Sequence, residues 1–168
     1  MFKLKRYISL ILAVIMIMML LPGTAEAAGE IRSVVRIKLS IGSVKSQTIT
    51  LNGNYYLKED SSKTLYRQAY TVTTDGSTLT LSDASGNTVV KDRASISIME
   101  GAESGGVNLI TVGSLKYRGN MVFTVSSGNL LLVNHVYLDD YIIGVLYGEV
   151  GDYYPQPVQE AQAIIART

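Results

Sequence analysis

Apolar positions recur every second residue from Ile31 to about Tyr137, and every third or fourth residue from Leu138 onward. In the first stretch Val35, Ile37, Leu39 and Ile41 alternate with Arg36, Lys38 and Ser40, the pattern of a strand with one buried face. Ile49 and Leu51 continue it up to Asn52-Gly53, and Tyr55 and Leu57 follow. Asn-Gly between alternating runs predicts a hairpin, because both residues tolerate positive φ. Asp75-Gly76 divides Tyr70/Val72 from Leu79/Leu81 in the same way, and Ser85-Gly86-Asn87 marks another turn. Val107–Val112, Tyr117–Val125 and Leu130–Val136 are predicted as further strands, the last two joined by Ser127-Gly128-Asn129. No proline interrupts this stretch, so no strand is vetoed.

Near Leu138 the period changes. Leu138, Tyr141/Ile142 and Val145 share one helical face, with Asp139 and Asp140 in the first turn, where the helix dipole favours negative charge. Gly148 is placed to end this helix. Pro157 suits the first position of a second helix carrying Val158, Ala161, Ile164/Ile165 and Thr168. The predicted class is α+β, with antiparallel hairpins in the N-terminal part and helices after them. The second helical pattern reaches Thr168 without a cap, which predicts a domain truncated at that point.

The first 27 residues follow other rules. Lys3, Lys5 and Arg6 form a basic head, and Ile8 to Leu21 is apolar apart from Ser9. Pro22 and Gly23 break the run, and Ala25-Glu26-Ala27 offers the small-x-small pattern of a cleavage site. A 14-residue run fits a signal peptide and is short of the ~20 residues of a spanning helix. Residues 1–27 are therefore expected to be a signal peptide, or an anchor if uncleaved, and residues 28–168 the exported domain, secreted to the cell wall or held on the outer face of the membrane.

Composition narrows the function. Basic and acidic residues number 15 and 14; without residues 1–27 they number 12 and 13, a net charge of −1. Such a balance lacks the basic footprint of a nucleic-acid binder, and no nucleic-acid partner is expected. There is no Cys and one His, which excludes disulfides, thiolate zinc sites and a cysteine nucleophile, and no metal or cofactor is expected. An exported chain without Cys gains nothing from an oxidising compartment, which fits the outside of a Gram-positive cell better than a eukaryotic secretory route.

The segment from Asn134 to Thr168 carries two spaced motifs. Leu138-Asp139-Asp140-Tyr141-Ile142-Ile143-Gly144-Val145 leads to Glu149, and after Tyr154-Pro155 comes Glu160-Ala161-Gln162-Ala163-Ile164-Ile165-Ala166-Arg167-Thr168. This resembles the stage II sporulation protein D / amidase enhancer B family. Its hallmark is a Leu-x-x-Tyr-x-x-Gly-Val helix, a Glu, a Pro and an Ala-Gln-Ala-x-x-Ala-Arg-Thr helix. Tyr117-Arg118-Gly119 and the strand within Ile31–Ser40 are also similar to the family's β-rich front end. The resemblance implies a peptidoglycan-active protein linked to sporulation or wall remodelling. Its sporulation member is a lytic transglycosylase of glycan strands stripped of stem peptides, and another member modulates an amidase. Implied partners are glycan strands, a cell-wall amidase and membrane-bound wall machinery. Glu149 falls on the family's catalytic glutamate. The sequence departs from the pattern at Val150-Gly151, where Met-Pro is usual, and at Glu160, where Lys is common.

The residues themselves say less. Glycosidic cleavage needs an acid to protonate the leaving oxygen, and a hydrolase needs a second carboxylate. A lytic transglycosylase does not, because the sugar's own 6-hydroxyl attacks the anomeric carbon, a proximity gain. One Glu can give a proton and take another. Val145, Leu146, Val150, Tyr153 and Tyr154 are the apolar residues available to surround Glu149 and favour its protonated form. Asp139 and Asp140 precede it by 10 and 9 residues, roughly 14–15 Å along a continuous helix, beyond the about 5–9.5 Å of a glycosidase carboxyl pair. They are expected to serve only as helix charges. Arg167 and Gln162 are candidates for binding sugar or orienting Glu149, and equally for a polar bridge between helices. His135 has no partner at triad spacing and is expected at a strand end or in a loop. The ten tyrosines after Ala27 suit sugar stacking, but half-buried strand positions account for most of them. Read without the motif, Glu149 is an ordinary solvated carboxylate, and the chain a non-catalytic wall module, an amidase enhancer or an inactive remnant.

Overall fold

The computed structural model describes residues 33–103, 106–151 and 153–167. The expected signal segment lies outside the described residues. Among the described residues twelve strands precede two helices: β1 (Val34–Lys38), β2 (Ser46–Asn52), β3 (Tyr55–Leu57), β4 (Asp60–Leu65), β5 (Ala69–Thr74), β6 (Leu79–Asp83), β7 (Thr88–Arg93), β8 (Ser95–Glu100), β9 (Leu109–Val112), β10 (Leu115–Tyr117), β11 (Asn120–Ser126), β12 (Asn129–Tyr137), α1 (Leu138–Glu149) and α2 (Gln156–Arg167). The class is α+β, as the change of period predicts.

The strands form two antiparallel six-stranded sheets, ordered β1-β12-β11-β8-β3-β4 and β10-β9-β2-β5-β6-β7. Their apolar faces share one core, to which Tyr55, Leu57, Ile96, Ile98, Met121, Phe123 and Leu132 come from the first sheet and Ile49, Leu51, Tyr70, Val72, Leu79, Leu81 and Ile110 from the second. Alternation along each strand puts those side chains inside, and the odd positions Val35, Ile37 and Leu39 turn inward as expected.

Three of the predicted turns close hairpins. Asp75 begins the β5–β6 turn, its Oδ1 accepting the N–H groups of Ser77 (2.8 Å) and Thr78 (2.7 Å). These bonds, with those from the two hydroxyls, hold its carboxyl well below the usual range. Asp83 does the same for Ser85 and Asn87 between β6 and β7. Ser127 (φ 50°) and Gly128 (φ 75°) make the two-residue β11–β12 turn.

Two expectations fail for a common reason. Asn52-Gly53 does not close a hairpin, because β2 pairs with β5 and β9 while β3 pairs with β4 and β8, so the dipeptide carries the chain between sheets. Gly53 (φ 150°) lies against Asn108, whose Oδ1 accepts the Asn54 N–H at 2.9 Å and whose Nδ2 donates to the Gly101 carbonyl at 2.9 Å. Nor is Tyr117–Val125 one strand. It breaks at Arg118-Gly119, with β10 in the second sheet and β11 in the first. The strand expected over Val107–Val112 begins only at Leu109, because Asn108 is fully buried as the bridge just described.

Both helices form, with shifted boundaries. Gly148 lies within α1; the helix ends instead at Gly151 (φ 63°), where the N–H groups of Val150 and Gly151 both donate to the Leu146 carbonyl (2.9 and 3.0 Å). Pro157 is the second residue of α2, still inside the turn that needs no N–H partner, and the Pro155 carbonyl accepts from Val158 (2.9 Å). Among the described residues no helix is long and apolar enough to cross a membrane.

Candidate functional site

The site is built where β12 runs directly into α1. Asp139 and Asp140 occupy the first turn of α1, and the Tyr137 N-cap makes no side-chain capping bond, so these carboxylates supply the negative charge at the dipole's positive end. Each also meets an arginine. Asp140 Oδ1 is 2.6 Å from Arg118 Nη1, a half-buried pair joining α1 to the crossing between sheets. Asp139 Oδ1 is 3.8 Å from Arg167 Nη2, an exposed pair joining the start of α1 to the end of α2. The expectation that the two aspartates are helix charges only is corrected in this respect: both also bind neighbouring elements.

Arg118 is held from behind. Asn134, buried in β12, donates Nδ2 to the Arg118 carbonyl (2.8 Å) and to the Asn120 carbonyl (3.0 Å). Gly119 (φ 81°) presses so closely on β12 that a Cβ there would stand 2.4 Å from the His135 carbonyl oxygen. Only glycine lets this crossing lie flat against the strand.

Glu149 is the last residue of α1, and its side chain is exposed. Gln162 Nε2, from the middle of α2, donates to Glu149 Oε2. The structure thus brings Gln162 to Glu149. Arg167 it does not: its partner Asp139 begins α1, about 15 Å from Glu149 by helical rise. α1 is unbroken from Leu138 to Glu149, so the long separation from both aspartates holds.

The apolar surround expected for Glu149 does not close over it. Val145, Leu146 and Val150 are half-buried, but Tyr153 is 97% exposed and Tyr154 53%. Neither helix buries a residue fully. Half-buried Gln159, Gln162, Ala163 and Ala166 line one side of α2, while Val158, Ile164 and Ile165 remain exposed. The expectation that strand positions account for most tyrosines is also corrected. Tyr147, Tyr153 and Tyr154 stand exposed around the end of α1, with Tyr66 and Tyr137 exposed elsewhere. His135 lies inside β12, paired with Arg36, rather than in a loop.

One carboxyl escaped the sequence reading. Glu100 ends β8 with its N–H donating to Asn120 Oδ1 (2.8 Å). Burial pushes its carboxyl up, and Glu103 and Asp140 add to this against the Asn108 hydrogen bond and Arg118. In sequence Glu100 is simply a polar residue closing a strand, and Arg118 entered only as part of a triplet. Nothing local marks either as a neighbour of α1.

Among the described residues no group of three or more His, Asp or Glu side chains is placed to hold a metal ion. A surface recess of about 370 Å³ lined by Lys38, Leu39, Ile41, Ser126, Ser127 and Leu130 contains none of the site residues.

Residues 126–168 match the family model described as Stage II sporulation protein, which covers β12, α1 and α2, and the resemblance read from the sequence stands on this segment. A protein of Brachyspira hyodysenteriae described as uncharacterized is 33% identical over 58 residues, which are 34% of this chain and 16% of that protein. The match therefore spans about a sixth of that relative. No solved structure matches.

Proposed function

We propose that this chain is an exported cell-wall protein that cleaves peptide-free glycan strands as a lytic transglycosylase, with Glu149 as acid and then base. The observation that carries this is the pair Glu149–Gln162. The matched segment has a carboxylate at the end of one helix and, on the next, an amide that donates to one oxygen of that carboxylate. A donor fixed on one carboxylate oxygen leaves the other to face substrate.

The chemistry balances with this one carboxyl group. Protonated Glu149 gives its proton to the bridging oxygen as the bond to the anomeric carbon breaks. The 6-hydroxyl oxygen of the same sugar bonds to that carbon, and its proton returns to Glu149. No water enters, so the product carries a 1,6-anhydro end. Tyr153 and Tyr154, which follow α1, and Tyr147 in its last turn offer exposed rings on which sugar faces can stack. Glycan strands are the substrate, and a wall amidase or membrane-bound wall machinery the protein partners.

Mass spectrometry of peptide-free strands incubated with the full chain, beside Glu149→Gln, tests this. Ends lighter by one water than hydrolysis products are expected with the native chain, and their loss by at least ~10²-fold in the variant. Strands left intact by the native chain would overturn it. The exposure of Glu149 favours a second reading, a wall module that binds glycan or enhances an amidase without cleaving. Its mark is strand binding unchanged in Glu149→Gln with no new ends.

A further inference from the structure

The connection between α1 and α2 is fixed at both ends, with Tyr153 standing between the fixed points. At its start the N–H groups of Val150 and Gly151 both donate to the Leu146 carbonyl, and Gly151 takes the left-handed conformation (φ 63°). At its end Gln159 Nε2 reaches back from α2 and donates to the Tyr154 carbonyl (3.0 Å). Among the described residues Tyr153 is the most exposed large apolar side chain, at 97%. One edge of its ring faces the first fixed point, since Cδ2 lies 3.6 Å from where a Cβ on Gly151 would stand. Gly151 is two residues from Glu149, so their Cα atoms are at most about 7 Å apart.

The Gln159 amide does nothing for α2 itself. A helix start needs acceptors for its first N–H groups, and those of Val158 and Gln159 already find one in the Pro155 carbonyl (2.9 and 3.4 Å). The Tyr154 carbonyl lies outside the helix, so the amide that binds it serves the connection. Gln159 and Gln162 stand three residues apart on one face of α2, both half-buried. Gln162 donates to Glu149 and Gln159 to Tyr154, so a single helix face holds both the carboxylate and the segment that carries the ring. An exposed ring on a segment held at both ends is preorganised, because the cost of ordering it is met before a ligand arrives.

We propose that Gln159 is a positioning residue of the glycan site: by holding the Tyr154 carbonyl it fixes Tyr153 as the platform on which one sugar ring of the strand stacks. This role rests on glycan being the ligand at Glu149, which both readings above share. The strand is then gripped by the connection that follows Glu149, and Gln159 sets that grip without touching sugar.

Binding of peptide-free glycan strands is measured by titration calorimetry on the full chain carrying Glu149→Gln, so that the strands stay intact. Tyr153→Ala is expected to weaken it about 3- to 10-fold. Gln159→Met, which keeps length and helix propensity but has no donor, should weaken it at least ~3-fold. With Tyr153→Ala already present, Gln159→Met should cost less than ~1.5-fold more, because the platform it holds is gone. A merely structural role would weaken binding equally with and without the Tyr153 ring. That result overturns the proposal, as does unchanged binding in either single variant. Cleavage is scored apart from binding. With Glu149 in place, Gln159→Met should raise KM at least ~3-fold and change kcat less than ~2-fold, the mark of lost ground-state binding. Strands left intact by the native chain, with the binding cycle as expected, would sink the cleavage reading and leave the platform standing. Cleavage whose KM Gln159→Met does not move would keep that reading and overturn the platform.

Discussion

Gly53 and Asn108 act as a matched pair, since each position is legible only through the other. A Cβ on Gly53 would stand 2.2 Å from Asn108 Oδ1 and 2.8 Å from its Cα, so the close approach needs glycine even before φ is considered. Asn108 uses that approach to bond backbone groups at both Asn54 and Gly101. Gly53→Ala must therefore strain the backbone and dislodge a fully buried amide, costing about 2–3 kcal/mol. Gly86 provides the control, with φ of 84° but open space around its Cα. Gly86→Ala meets only the backbone preference, about 1 kcal/mol. Denaturant midpoints of the two variants measure the difference, and equal losses would show that packing on Asn108 contributes nothing.

Elements whose turns close on themselves were readable, and those that cross were not. Asp75 and Ser127-Gly128 fix their hairpins with bonds and dihedrals spanning only a few residues, so local chemistry sufficed. The destination of β3 depends on Asn108, 54 residues from Asn54, and no window of sequence holds both. The same distinction divides the candidate site. Glu149 and Gln162 lie 13 residues apart, in two spaced motifs of one segment, close enough in sequence for Gln162 to be a candidate for orienting Glu149. Arg118 meets Asp140 of α1 across 22 residues of sequence, so its part in anchoring the helix has no local signal. Glu100, whose carboxyl feels both Arg118 and Asp140, offers a test beside that junction. Its folded-state carboxyl lies above the ordinary 4.5, so the fold favours the protonated form. The stability this contributes is complete below pH 4.5 and is lost as pH rises through the folded value. Glu100→Gln keeps the shape and removes the titration. It should unfold at higher denaturant than the native chain at pH 7 and match it at pH 4, where both side chains are neutral. A variant less stable at pH 7 would mean that the charged form is the one the neighbours favour.

At the scale of the molecule, the core and the candidate chemistry occupy different parts. Every residue of the buried cluster comes from the two sheets and their connections, whereas α1 and α2 bury none. Cooperative stability scales with buried apolar contact, so the helix pair has the means to open while the sheets stay closed. Amides of α1 and α2 should then exchange with solvent at least ~10²-fold faster than those at the centres of β11 and β12. The Arg118–Asp140 pair, short and half-buried, ties α1 to the crossing between the sheets, whereas Arg167–Asp139, long and exposed, ties only the two helices to each other. Asp140→Ala should accordingly speed exchange in both helices and leave β11 and β12 unchanged. Asp139→Ala should move neither by more than about twofold. Equal protection of helices and strands in the native chain would instead make the whole a single cooperative unit, with Glu149 held as rigidly as the core. The choice between these outcomes bears directly on the glycan cleavage proposed for Glu149. A helix pair that opens on its own can order around a bound strand and enclose Glu149 at that moment, supplying the apolar surround that the exposed carboxylate lacks without substrate.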